Sequence, residues 1–145
     1  MGSLYRTILV AIDGSADARA ALDHAIEIAR DQHARLTLVT VVPQLSSAAI
    51  LGGASPQTLA ECFERMLAEH RDAVPDDVSL TTRTLEGPAA KRIAELAADH
   101  DLVVMGTHGR GRVGEALLGS VSREVVHLSS VPVLLVRAAA CAERA

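Results

Sequence analysis

Aromatic residues are scarce in this sequence: among 145 residues there are no Trp, one Tyr and one Phe. Proteins that hold single-stranded nucleic acid stack the bases on aromatic side chains. The formal net charge of −4 also lacks the basic surface that a phosphate backbone requires. We therefore expect no nucleic-acid partner, and a core built from aliphatic side chains.

Cysteines and long apolar runs are scarce as well. Cys62 and Cys141 form no CxxC pair, so neither a disulfide framework nor a zinc site is predicted. No apolar run approaches the roughly 18 residues of a membrane span, and no signal-type segment opens the chain. We expect a cytoplasmic protein without a membrane partner, folded as one domain over residues 1–145 with a core at 5–137 and a C-terminal tail at 138–145.

Five short segments rich in β-branched residues alternate with segments of helical period. The predicted strands are residues 5–12, 35–42, 77–85, 101–106 and 132–137. The first helix covers residues 16–34, with Ser15 as its cap and an inner stripe of Ala18, Leu22, Ala25 and Ala29. Residues 44–54 are predicted to be a mobile loop.

Three further helices complete the pattern. One helix starts at Ser55 and Pro56. Its predicted inward-facing residues are Leu59, Phe63 and Met66 or Leu67. The last helix covers residues 120–128. The helix opened by Gly87 and Pro88 has a predicted inner stripe of Ala89, Ile93, Leu96, Ala97 and His100.

Alternation of this kind predicts a doubly wound α/β fold with a five-stranded parallel sheet and helices on both faces. With the strand order 3-2-1-4-5, the order reverses between strands one and four, which is where such sheets bind ligands. Asp13, Gly14 and Ser15 follow strand one, and a glycine cluster follows strand four. The Asp-Gly-Ser run also suits a simple turn and helix cap.

The glycine cluster places five glycines and a serine between Gly106 and Ser120, which suggests positive φ or close approach of a ligand to the main chain. "GRGRVG" fits the dinucleotide fingerprint but follows the wrong strand, and "GEALLGS" resembles a P-loop without its lysine. The wider spacing G-x2-G-x9-G-S puts Gly119 and Ser120 at a helix N-terminus, where phosphate binds well. Arg110 and Arg112 add local positive charge.

With "ILVAIDGS" near the amino terminus and "GSVSREVVHLSSVPVLLVR" near the end, this spacing resembles the ATP-binding branch of the universal stress protein family. The resemblance covers Tyr5 to Arg137 and implies an adenine nucleotide alpha hydrolase-like fold. It also implies ATP with Mg²⁺ as cofactors, a homodimer formed through strand five from Val131 to Val136, and signalling partners that the sequence does not identify.

The resemblance implies that Asp13 and the main chain of Val41 hold the adenosine. Gly106, His108 and Gly109 would line the ribose and phosphates, and the start of the last helix would cradle the phosphate tail. The expected nucleotide-binding residues are Ala11, Asp13, Val41, Met105, Gly106, His108, Gly109, Arg110, Gly119, Ser120, Val121 and Ser122.

The leading hypothesis is an ATP-dependent sensor or regulatory module of the stress response. A weak ATPase or phosphotransferase is one alternative, although at most slow hydrolysis is expected because no activating lysine or catalytic triad is visible. A ligand-free dimeric interaction protein, whose glycines serve only loop packing, is the other.

Overall fold

A computed structural model describes residues 4–108 and 118–138. The strands are β1 (Thr7–Ala11), β2 (Arg35–Val42), β3 (Leu80–Glu86), β4 (Leu102–Gly106) and β5 (Val133–Val136). The helices are α1 (Ala16–Gln32), α2 (Ser47–Leu51), α3 (Pro56–Asp72), α4 (Ala89–Ala97) and α5 (Ser120–Leu128). No described helix is long and apolar enough to cross a bilayer.

The five strands form one parallel sheet in the order β3-β2-β1-β4-β5. One apolar cluster packs α1 and α3 against one face of the sheet, and a second packs α4 and α5 against the other. This arrangement confirms the predicted doubly wound fold. It also brings the carboxyl ends of β1 and β4 side by side, at the reversal of strand order.

Local sequence signals set the start of α1 as predicted. The Ser15 hydroxyl accepts a hydrogen bond from Ala18 N at 3.1 Å, which satisfies one of the amides that a helix start leaves without a partner. The predicted stripe of Ala18, Leu22, Ala25 and Ala29 is buried. The helix ends at Gln32, two residues before the predicted end, because His33 adopts a left-handed conformation with φ of 56°.

Two predictions about helices were incomplete. Residues 44–54 contain the short helix α2, whose start is capped by Ser46 through a bond from Ala49 N at 3.1 Å. The α4 helix ends at Ala97, so His100 lies in the following turn, where its Nε2 is 3.0 Å from Thr37 Oγ1. Of the two cysteines, Cys62 is exposed and Cys141 lies outside the described residues.

Candidate functional site

A cavity of about 590 Å³ opens at the carboxyl ends of β1, β2 and β4. Every described member of the predicted nucleotide-binding set lines it: Ala11, Asp13, Val41, Met105, Gly106, His108, Gly119, Ser120, Val121 and Ser122. Gly109, Arg110 and Arg112 lie outside the described residues. The structure therefore gathers the described candidates around one cavity at the predicted point of the sheet.

The β1 end of the cavity is a turn made by Asp13, Gly14 and Ser15. Gly14 has φ of 86°, a conformation that glycine adopts without strain. The Asp13 carboxylate accepts a hydrogen bond from Ser15 N at 2.9 Å. Asp13 thus serves the turn, as the simpler interpretation expected, and at the same time lines the cavity.

The start of α5 is fastened to the end of β4. Gly119 N donates to Thr107 O at 2.7 Å, so this amide is used inside the protein and not presented to an anion. The buried Ser122 hydroxyl donates to Gly106 O at 2.8 Å and to Thr107 O at 3.1 Å. The predicted phosphate-binding groups are thereby reduced to the Ser120 hydroxyl and the amides of the first helical turn.

These amides give the cavity a positive end. The first amides of a helix have no intrahelical acceptor, and Gly119, the N-cap of α5, has no side chain to offer one. The helix dipole adds roughly half a positive charge at the same end. Among the described lining residues there is no Lys or Arg, and the ionisable groups are Asp13 and His108.

The rest of the wall is largely aliphatic, with one aromatic residue. Val39 and Val41 come from β2, Ile93 from α4 and Phe63 from α3. Phe63 is the only phenylalanine in the chain, and the sequence predicted for it only a packing role. Such a wall suits a flat apolar group, with polar contacts concentrated at the α5 end.

Asp17 is the functional candidate that the sequence did not indicate. It lies in the first turn of α1 and is only 5% exposed. Burial raises the pKa of its carboxyl, but hydrogen bonds from Ala138 N, the Thr107 hydroxyl and His108 N outweigh burial and leave the pKa below its usual value. An acidic residue in a first turn normally signals only a favourable interaction with the helix dipole.

Gly106 has a structural reason to be a glycine besides the predicted close approach of a ligand. A Cβ added there would lie 2.6 Å from Asp17 Cβ, 2.8 Å from Asp17 C and 2.9 Å from Ala18 N. The φ of Gly106 is not positive, so its backbone conformation does not require a glycine. The close approach that excludes a side chain at Gly106 is therefore that of α1, although Gly106 also lines the cavity.

Comparison with known proteins agrees with this architecture. A universal stress protein of Thermus aquaticus is 38% identical over 141 residues, covering 92% of this chain and 100% of that protein. A solved structure of a protein from the universal stress protein family of Burkholderia pseudomallei is 33% identical, with a TM-score of 0.72 and coverage of 94% of this chain and 98% of that one.

A second solved structure, of a universal stress protein in complex with cAMP, is 26% identical, with a TM-score of 0.73 and coverage of 94% of this chain and 100% of that one. The sequence model of the universal stress protein family matches residues 4–137, which is nearly the whole chain. The chain therefore belongs to the universal stress protein family.

Proposed function

We propose that this protein binds an adenine nucleotide in the cavity, with ATP and Mg²⁺ as the favoured ligand, and acts as a nucleotide-dependent regulatory module of the stress response. One observation carries the proposal: the N-terminus of α5, which has no side-chain cap, opens into a cavity whose remaining wall is largely aliphatic. The related protein in complex with cAMP supports the choice of an adenine nucleotide.

The cavity offers a separate environment for each part of a nucleotide. Phosphates suit the first turn of α5, where the amides of Ser120, Val121 and Ser122 and the helix dipole favour negative charge. The base suits the apolar side formed by Val39, Phe63 and Ile93.

Asp13 suits the adenosine portion, as the resemblance implies, because a carboxylate accepts hydrogen bonds from hydroxyl and amino groups. The magnesium ion would accompany the phosphates, since Mg²⁺ keeps several waters and binds phosphate oxygens. Bound ATP would add negative charge and new contacts to the cavity. The surface around the cavity would therefore differ between the bound and the free protein. Partner proteins that read this surface would respond to nucleotide.

A charge substitution at Ser120 tests the phosphate end without harming the fold. Ser120 is exposed and stands at the first position of α5, where an acidic residue stabilises a helix by about 0.3–1 kcal/mol. The same carboxylate would repel a phosphate, by about 3 kcal/mol for unit charges about 5 Å apart at an effective dielectric constant near 20.

We expect Ser120→Asp to lower ATP affinity in titration calorimetry by at least about tenfold. Ser120→Asn is the matched control, because asparagine has nearly the same shape as aspartate but no charge. We expect this variant to keep most of the affinity for ATP. Binding of ATP to Ser120→Asp as tightly as to the wild type would contradict the proposed phosphate position.

We also propose that the protein forms a homodimer through β5 and the residues before it, Val131 to Val136. Supporting this, β5 is an edge strand of the sheet, and its first three residues are only half-buried. Val126 and Leu128, in the helix that precedes β5, are 45% and 51% exposed. Sedimentation equilibrium should give twice the chain mass of 15.2 kDa; a monomer would contradict the dimer.

A further inference from the structure

The buried carboxylate of Asp17 joins three separate parts of the chain. Its Oδ2 accepts hydrogen bonds from the Thr107 hydroxyl at 2.7 Å and from His108 N at 3.1 Å. Its Oδ1 accepts one from Ala138 N at 2.9 Å. The start of α1 is thus tied to the residues that follow β4 and to a residue that follows β5.

Two of these partners shape the cavity. His108 lines it directly. Thr107 accepts the bond from Gly119 N at 2.7 Å, so the position of Thr107 also sets where α5 begins. Asp17 itself is not among the lining residues, so any influence that it has on a ligand through contacts passes through its hydrogen-bond partners.

The chemistry of this junction calls for a carboxylate. All three partners are donors, and an ionised carboxylate offers only acceptors. Hydrogen bonds to a charged acceptor are roughly twice as strong as neutral ones. An asparagine would replace one oxygen with an NH₂ group facing an N–H or O–H donor, so at least one bond would be lost.

Charge and positioning predict opposite effects of removing the carboxylate. Through space, a buried negative charge disfavours an anionic ligand nearby, so its removal would tighten binding of a nucleotide. If the carboxylate instead fixes Thr107 and His108, its removal would loosen the cavity and weaken binding. The sign of the change separates the two roles.

We propose that Asp17 is a positioning residue for the nucleotide site: it holds Thr107 and His108 in the arrangement that shapes the cavity wall and fixes the start of α5. This inference rests on the proposed function. It assigns a binding role to a residue in the first turn of α1 that does not line the cavity.

The test compares Asp17→Asn with Asp101→Asn by titration calorimetry with Mg·ATP. Asp101 is a matched control because its carboxylate also accepts main-chain hydrogen bonds, from Arg6 N at 2.8 Å and Thr7 N at 3.1 Å. It does so at the amino-terminal edge of the sheet, away from the cavity. We expect Asp17→Asn to weaken ATP binding at least about tenfold and Asp101→Asn less than about twofold, since only the first removes the hydrogen bonds that hold the cavity wall.

Affinity for ATP that is unchanged or increased in Asp17→Asn would overturn the proposal. If Asp17→Asn does not fold, Thr107→Val removes the hydroxyl that donates to Asp17 at 2.7 Å and contacts His108 Nδ1 at 3.1 Å, without removing the Asp17 charge. A weakening of about threefold or more supports positioning, and unchanged affinity overturns it.

If the wild type binds no ATP, the proposed function is refuted. Amide hydrogen exchange then tests separately whether Asp17 positions His108. Exchange at His108 N that is at least about tenfold faster in Asp17→Asn than in Asp101→Asn supports positioning. Equal exchange in the two variants overturns it.

Discussion

Replacing Gly106 with alanine tests whether this glycine serves helix packing or the ligand. The added Cβ would lie 2.6–2.9 Å from three atoms of α1, two of which belong to its main chain. Carbon atoms normally approach no closer than about 3.5 Å, so α1 or β4 would have to move by roughly 1 Å. Overpacking of this kind costs about 1–3 kcal/mol, and the displacement would also strain the hydrogen bonds of Asp17.

We therefore expect Gly106→Ala to lower the free energy of unfolding by about 2 kcal/mol or more. Because the chain has no Trp, urea unfolding is best followed by far-ultraviolet circular dichroism. In thermal unfolding, each kcal/mol lowers the midpoint by roughly 2–4 °C for a chain of this size.

Gly52→Ala is the matched control. Its Cβ would meet the carbonyl oxygens of Ala48 and Ala49 at 3.4 and 3.5 Å, and its φ of −81° suits alanine. We expect a change within about 0.5 kcal/mol. If Gly106→Ala kept wild-type stability but lost nucleotide binding, the packing explanation would be refuted and the ligand would be the reason for the glycine.

Two further predictions concern stability. The pKa of Asp17 and that of Asp101 lie below the usual 3.8 in the folded protein, so their stabilisation is present above that pH and is lost as the pH falls through the lowered values. Urea unfolding should accordingly show a smaller loss of stability between about pH 6 and pH 3 in Asp17→Asn and in Asp101→Asn than in the wild type; equal losses would contradict this. The buried Thr40 hydroxyl has no hydrogen-bond partner within the described part of the chain, so Thr40→Val should stabilise the fold by about 1 kcal/mol, and a clear destabilisation would contradict this explanation.

Local signals made most of the fold predictable. The stripe along α1 and the apolar strands report burial directly, and Ser15 and Ser55 mark helix starts through short-range hydrogen bonds. The helix α2 escaped prediction because its five residues are too few for a periodic pattern. Its start is marked by the Ser46 cap, and a serine before alanines is a weak signal by itself.

The candidate site was predictable only in part. Asp13, His108 and Ser120 follow strands or begin a helix, so the topology alone brings them to one edge of the sheet. The role of Asp17 depends on partners 90 to 121 residues away in sequence, and no local pattern reports such contacts. Gly106 shows the same limit, because the helix that excludes its side chain is remote in sequence.

The most direct test of the account is a crystal structure of the protein grown with excess Mg·ATP. We expect the phosphates at the main-chain amides of Ser120, Val121 and Ser122, with the base on the side of Val39 and Phe63. A cavity that holds only water under these conditions, or a nucleotide bound elsewhere on the chain, would contradict the account.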